Sequence, residues 1–353
     1  MKIGILTFHW ANNYGAVLQA YGLYQVLRKL GHNATFINYI PTCANKWWQR
    51  LGIRRGWRRY PYVIQRLRFI WFRFRELPKS YRCRKIQELR TMALDFNAII
   101  VGSDQVWNGN IYKGFDGVYF LDFVDRPECR KISYSACFGD VNQPRETVES
   151  AGALLMRFDS LSVRNEMSAN LVRNFSGREA EIVLDPSFLH DYEELLDEKN
   201  RKQPYVAAYF LSTLYRDRGE GVLYEIKKHL QHPVIVTGDE QQAVDCDYSQ
   251  TSAGPKEWIR LIKNATYVCT DSFHGVVFAI KFKKPFIAWS GYRPERIKHL
   301  LKICGLEDRV VAEADPGAVK RLLETQIDYN AVSEKLQPYL KRSRLFLERS
   351  LKT

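Results

Sequence analysis

The 353-residue sequence predicts an α/β protein of two domains built on parallel sheets, and three observations carry that reading. Short apolar runs alternate with helix-length amphipathic segments, the pattern of successive β-α-β units. A charged, polar stretch, DYEELLDEKNRKQP at 191–204, divides the alternation into two series. Polar clusters stand directly after several apolar runs, at the carboxyl ends of the expected strands. Two such domains facing one another make a cleft lined by those ends, where open α/β sheets bind ligands.

The elements follow in order. Ile3 to Phe8 is a strand, His9 to Tyr14 a polar loop, and Gly15 to Leu30 a helix with apolar residues at 17, 18, 21, 24 and 27. Gly31 and His32 stop it, and Ala34 to Ile40 is the next strand. Further strands are expected at Ala98 to Val101, Ile132 to Phe138, Ser160 to Val163 and Ile182 to Leu184. The second series places strands at Tyr205 to Leu211, Val234 to Thr237, Thr266 to Thr270 and Pro285 to Trp289. Helices are expected near 217–230, 255–263, 273–282 and 297–303. The first domain is expected over 1–192 and the second over 200–330. A last helix over 331–353, apolar at 332, 336, 340, 345 and 347, could pack back on the first domain.

Composition narrows the classes. With 46% hydrophobic residues the chain can bury a large core, so disorder is excluded and two domains are favoured. MKIGILTF is too short for a signal-peptide apolar region, and no window reaches the roughly 18 apolar residues of a spanning helix. A cytosolic or membrane-peripheral protein is expected. The seven cysteines (43, 83, 129, 137, 246, 269 and 304) are single and odd in number, so neither a disulfide nor a zinc site is expected. Asp245-Cys246-Asp247 is read as a solvated loop rather than a metal site.

Charge is concentrated in one segment. Residues 46–85 hold fourteen of the 53 Lys and Arg, one of the 39 acids (Glu76), and ten aromatics, leaving 39 bases and 38 acids elsewhere. From Val63 to Phe74 the apolar positions 63, 64, 67, 70, 71 and 74 share one helical face, with Arg66, Arg68, Arg73 and Arg75 flanking it and Phe69 and Phe72 opposite. This suits an interfacial helix whose arginines meet lipid phosphates, and Trp47, Trp48, Trp57 and Trp71 suit headgroup depth. Two other readings stay open. Basic residues among aromatics suit single-stranded nucleic acid, though the body shows no nucleic-acid module; or the helix buries its aromatics and solvates its arginines.

Three strand-end clusters carry chemistry. In Gly102-Ser103-Asp104-Gln105, Asp104 either projects a carboxylate over the sheet edge or caps the following helix. Arg164, in Ser162-Val163-Arg164-Asn165-Glu166, suits a phosphate or carboxylate beside free backbone N–H groups, or is a surface residue. In Thr270-Asp271-Ser272-Phe273-His274-Gly275, His274 falls in a first helical turn, where an anion is favoured, or is structural. Asn13-Tyr14-Gly15 at the first β-α turn could bring backbone near a ligand. Neither G-x-G-x-x-G nor a P-loop occurs, which removes the simplest nucleotide-binding readings.

In order and spacing, ILTFHWANNYGAVLQAYGL, AIIVGSDQVWN, ISYSACFG, LSVRNEMSANLV, VLDPS and ATYVCTDSFHGVVFAIKFKKPFIAW resemble the polysaccharide pyruvyl transferase family. The resemblance covers nearly the whole chain apart from the basic arm and last helix. It implies a GT-B-like pair of Rossmann-type domains, with 46–85 inserted in the first. It also implies transfer of pyruvate from phosphoenolpyruvate to a sugar as a ketal, without metal or cofactor. His274 and Asp104 are then the expected acid and base. Arg164, Ser272, Phe273, His274, Gly275 and Arg296 are expected at the donor, and Asn13, Tyr14, Ser103, Asp104 and Gln105 at the acceptor. Ser272 stands where relatives often carry Arg, so Arg296, or else Arg293 or Lys298, is expected to supply that cation. Tyr14-Gly15-Ala16 likewise replaces an acidic stretch. The implied acceptor is a lipid-linked capsular, exopolysaccharide or wall oligosaccharide of a bacterium, on the inner face of the membrane, with an anionic membrane surface as partner and no nucleic acid. The alternatives are a nucleotide-sugar glycosyltransferase on the same plan and a catalytically silent assembly protein docked at the membrane.

Overall fold

A computed structural model describes residues 1–41, 60–196, 203–211, 216–238, 246–289, 295–312 and 315–352. Trp47, Trp48, Trp57, Arg293, Cys43 and Asp245 lie outside the described residues. The chain forms two compact units: Met1–Arg55, Arg73–Asp191 and Tyr339–Thr353 make the first, and Gly56–Phe72 with Tyr192–Pro338 the second.

The first unit is a parallel sheet in the order β3-β2-β1-β4-β5, formed by β1 (Lys2–Leu6), β2 (Asn33–Tyr39), β3 (Lys79–Cys83), β4 (Ala98–Val101) and β5 (Arg130–Ser133). β4, AIIV, is buried at every position, as its unbroken apolar run requires of a central parallel strand. α1 (Tyr14–Lys29) links β1 to β2 and buries residues along most of its length. β5 is shorter than the expected Ile132–Phe138 because Ser135 turns to φ +54°. Bridges from Ala136 to Asp104 and to Val163 nevertheless carry the layer on to the short pair β6 (Ser162–Val163) and β7 (Glu181–Ile182). The core beneath is aromatic, with the buried Trp107 stacked on Phe120 and donating Nε1–H to the Tyr119 carbonyl.

The second unit is a six-stranded parallel sheet, β10-β9-β8-β11-β12-β13, made of β8 (Val206–Tyr209), β9 (Val234–Thr237), β10 (Tyr248–Ser249), β11 (Tyr267–Thr270), β12 (Phe286–Trp289) and β13 (Val310–Val311). The sequence indicated its four central strands. The edge strands β10 and β13 are two residues long, too short to show any period.

The basic segment is not one insertion in the first domain. Its helix α2 (Tyr60–Glu76) belongs through Phe72 to the second unit, whereas β3 is an edge strand of the first unit's sheet, pairing Phe36 with Lys79 and Tyr39 with Cys83. Shared charge does not imply shared structure: β3 (KSYRC) carries its cations as an exposed sheet edge, a usual guard against further pairing. After α3 (Ile86–Ala93), α4 (Gly109–Tyr112), α5 (Arg145–Leu155), α6 (Glu166–Ser176), α7 (Arg216–Leu230), α8 (Pro255–Asn264), α9 (Phe273–Lys281), α10 (Glu295–Cys304) and α11 (Pro316–Glu324), the chain ends in α12 (Tyr329–Leu351). From Tyr339 onward α12 belongs to the first unit. There Ser343 Oγ accepts the Leu184 N–H at 2.9 Å and Arg130 donates to the Ser350 carbonyl at 3.0 Å. No helix among the described residues is long and apolar enough to cross a membrane.

Candidate active site

In the first unit, successive strands deliver polar residues to one sheet edge. Thr7, just past β1, donates its hydroxyl to the Ser103 carbonyl at 2.7 Å and accepts Gln19 Nε2–H at 2.9 Å. Past β4, Ser103 Oγ donates to Asp185 Oδ2 at 2.8 Å. Past β6, Arg164 Nη2 donates to the same Asp185 oxygen at 2.7 Å and to Ser103 Oγ at 2.5 Å. The Arg164 and Asp185 side chains are 3% and 0% exposed. Arg164 was expected to meet a donor anion, but its anionic partner here is the chain's own Asp185. Ser103, expected at the acceptor, is equally enclosed by this pair. The physical reason is desolvation: a guanidinium withdrawn from water demands a paired charge.

Asp104 occupies the centre of this edge at φ +93°, a conformation uncommon for any residue but glycine. Its Oδ1 accepts the Gln105 N–H at 2.8 Å. It does not cap the next helix; Asn108 does, by accepting the Asn110 N–H at 3.1 Å. Gln105 Oε1 in turn accepts from Asn108 Nδ2 at 2.9 Å. Gly139, at φ +73°, packs against both amides, and a Cβ there would lie 2.2 Å from Gln105 Oε1. The geometry therefore presents the Asp104 carboxylate on a bent, hydrogen-bonded turn.

Asn13 and Tyr14 have local roles. Asn13 caps α1, its Oδ1 accepting the Ala16 N–H at 3.0 Å, and Tyr14 is buried as the helix's first residue. The loop before them is held by Arg73, which donates to the Trp10 and Ala11 carbonyls and to Asn12 Oδ1 at 2.8 to 3.1 Å. Arg73 is buried, so it is not the lipid-facing cation that helical spacing suggested. Arg68 is likewise engaged internally, donating to the Ser252 carbonyl at 2.9 Å beside Glu257 at 3.7 Å. Arg66 lies over the Tyr62 ring, and Trp71 lies under the Lys256 ammonium at 5.3 Å.

In the second unit, the β11–α9 turn gathers most of the expected donor residues. Ser272 is the cap of α9, its Oγ accepting the Gly275 N–H at 3.3 Å, while its own N–H reaches Thr270 Oγ1 at 3.1 Å. Asp271 is spent locally, accepting the Leu211 N–H at 2.6 Å. Gly275 fits because a Cβ would lie 2.3 Å from Thr270 Oγ1. His274 is buried in the first turn with its ring edge-on to Phe273 at 5.1 Å. Arg296, from α10, lies with its guanidinium 5.9 Å from the Phe273 ring centroid and is also buried. Thus the helix amino terminus, His274 and Arg296 flank one aromatic ring. Lys298, the rival cation, is exposed and pairs with Glu295.

Three chemically notable residues were not singled out from sequence. Asp185 follows β7 in the same strand-end position as the other clusters, and that position could have identified it. His9 is pushed down to about 4 chiefly by burial, against the opposing bond from its Nδ1–H to the Thr7 carbonyl at 3.0 Å. Asp116 is pushed up to about 6 chiefly by burial, although Tyr39 O–H and the Val118 N–H both bond its carboxylate. Nothing local in sequence reveals that burial.

Comparison places this geometry among known proteins. The UDP-GlcNAc 2-epimerase from Neisseria meningitidis bound to UDP-GlcNAc superposes with TM-score 0.60 at 10% identity, covering 99% of both chains. The UDP-GlcNAc 2-epimerase from Methanocaldococcus jannaschii gives 0.57 at 14% identity, covering 93% of both. At these identities the likeness is one of fold, the GT-B type with two Rossmann-like units. No curated protein matches the chain. A family model, polysaccharide pyruvyl transferase, matches residues 13–291, a span that includes Asp104, Arg164, Asp185 and the β11–α9 turn. The chain therefore belongs to the polysaccharide pyruvyl transferase family.

Proposed function

We propose that the protein transfers pyruvate from phosphoenolpyruvate to two hydroxyls of a hexose, the hexose being part of a lipid-linked oligosaccharide, and releases phosphate. The observation that carries this reading is the β11–α9 turn, where a helix amino terminus, His274 and Arg296 converge on Phe273. An anion is stabilised at such a terminus, and a guanidinium binds phosphate or carboxylate in pairs. The donor supplies both groups. Arg296 takes the cationic role that Ser272 cannot fill, and Arg164 becomes the residue that holds the Asp104 turn through Ser103.

In the chemistry, His274 gives a proton to the methylene carbon, making the methyl group, while a sugar hydroxyl bonds to the adjacent carbon. A carboxylate base takes that hydroxyl's proton, the role the family resemblance implies for Asp104. The second hydroxyl then bonds to the same carbon as the C–O bond to phosphate breaks, and its proton leaves with phosphate. Two C–O bonds form and one breaks. One of the two hydroxyl protons is accounted for in the methyl group and the other in the released phosphate. Charge at the departing phosphate is met by Arg296 and the α9 amides. No metal or cofactor is required by this scheme.

The test is phosphate release from phosphoenolpyruvate with a panel of lipid-linked oligosaccharides. His274→Ala is expected to abolish it, and near-normal turnover by that variant would remove His274 from the role. The Neisseria epimerase structure contains UDP-GlcNAc. A glycosyltransferase is the second reading, so a UDP- and GDP-sugar titration belongs in the same panel. Turnover of a nucleotide sugar without phosphoenolpyruvate would favour that alternative.

A further inference from the structure

α2 is attached by the side that sequence alone could have assigned to solvent. Phe69 and Phe72 are each 1% exposed, and Gln65 and Arg73 are buried beside them. At about 100° per residue these four occupy one side of the helix. The opposite side is apolar and open: Val63, Leu67, Ile70 and Phe74 are 50%, 59%, 50% and 81% exposed, and Trp71 adjoins them, half exposed. Together they form a stripe roughly 100° wide. Arg66 lies along one margin and Arg75 along the other.

We propose that this outward face is a docking surface for an anionic lipid bilayer, with Val63, Leu67, Ile70 and Phe74 entering the headgroup–acyl boundary and Arg66 and Arg75 meeting lipid phosphates. Charge decides the occupant. Residues 60–85 carry eight Lys and Arg against the single acid Glu76, so the stripe is set in a cationic field. A second copy seated on it by two-fold symmetry brings arginine against arginine, which opposes self-association. A bilayer bearing negative phosphates satisfies both the apolar and the cationic parts. The inference stands on the helix and not on the chemistry proposed above, which adds only the reason for it: a lipid-carried acceptor is met at that surface.

The experiment is flotation of the full-length protein with vesicles of phosphatidylcholine alone or with phosphatidylglycerol, containing no saccharide lipid. Binding to the anionic vesicles is expected, with at least a tenfold loss in L67E/F74E and a fall as salt rises. Both substituted positions are solvent-exposed, and circular dichroism checks that the variant is folded. Absence of binding by the parent protein, or equal binding by the folded variant, overturns the proposal. A dimer that L67E/F74E dissolves, with no vesicle binding, assigns the face to self-association instead. Phosphate release with a water-soluble acceptor separates this question from the reaction. A parent protein that turns over but does not float overturns docking alone, whereas a parent that floats without turnover overturns only the chemistry.

Discussion

Replacing Asp185 by Asn keeps the side chain's shape and removes the carboxylate that accepts from Arg164. The pair is 2.7 Å apart with side chains 3% and 0% exposed, so the variant leaves a guanidinium in the interior without its counter-charge. Breaking a buried pair from one side costs about 3–5 kcal/mol, most of it the penalty on the remaining charge. For a unit of this size each kcal/mol moves Tm by about 2–4 °C, so the midpoint should fall by roughly 6–20 °C. Urea and thermal unfolding followed by circular dichroism at pH 7 measure this directly. The double variant Arg164→Met/Asp185→Leu removes both charges and should be more stable than Asp185→Asn, because neither member of the pair is left buried without the other. A loss under about 1 kcal/mol for Asp185→Asn, or a double variant losing the sum of the single losses, would refute the reasoning.

The orientation of α2 is tested by Phe69→Ala and Phe72→Ala, each expected to cost about 3–5 kcal/mol, against Phe74→Ala, expected within about 0.5 kcal/mol; equal effects in urea titrations would contradict the burial pattern. Two buried groups give opposite pH dependences. Asp116, raised from 3.8 to about 6, binds its proton more tightly in the folded state, so the parent should lose about 2 kcal/mol relative to Asp116→Asn as pH rises from 4 to 6. His9, lowered from 6.5 to about 4, should make the parent lose a similar amount relative to His9→Asn as pH falls across that window. Stability curves parallel to the parent's in either variant would remove the assignment. Gly275→Ala places a methyl group 2.3 Å from Thr270 Oγ1 and should cost about 1–3 kcal/mol while weakening phosphoenolpyruvate binding, read by calorimetry; unchanged affinity and stability would show that the turn is not tightly built.

The alternation of apolar runs and amphipathic helices determined the α/β class and the parallel sheets, because burial on both faces writes a parallel strand into sequence as a continuous apolar stretch. The polar residues at strand ends were legible for the same reason: the chain must turn there, and only polar or small residues suit the turn. His274 in the first turn of α9 follows from local spacing alone. What only the tertiary structure decided were pairings between residues far apart in the chain. Arg164 and Asp185 share a buried bond across 21 residues, and Arg73 reaches a loop more than sixty residues earlier. The basic segment shows the limit best: a helical wheel separates two faces of α2 but assigns neither to protein nor solvent. That choice depends on which face finds apolar surface in the folded chain. Here Phe69 and Phe72 found it, leaving Leu67 and Phe74 outward.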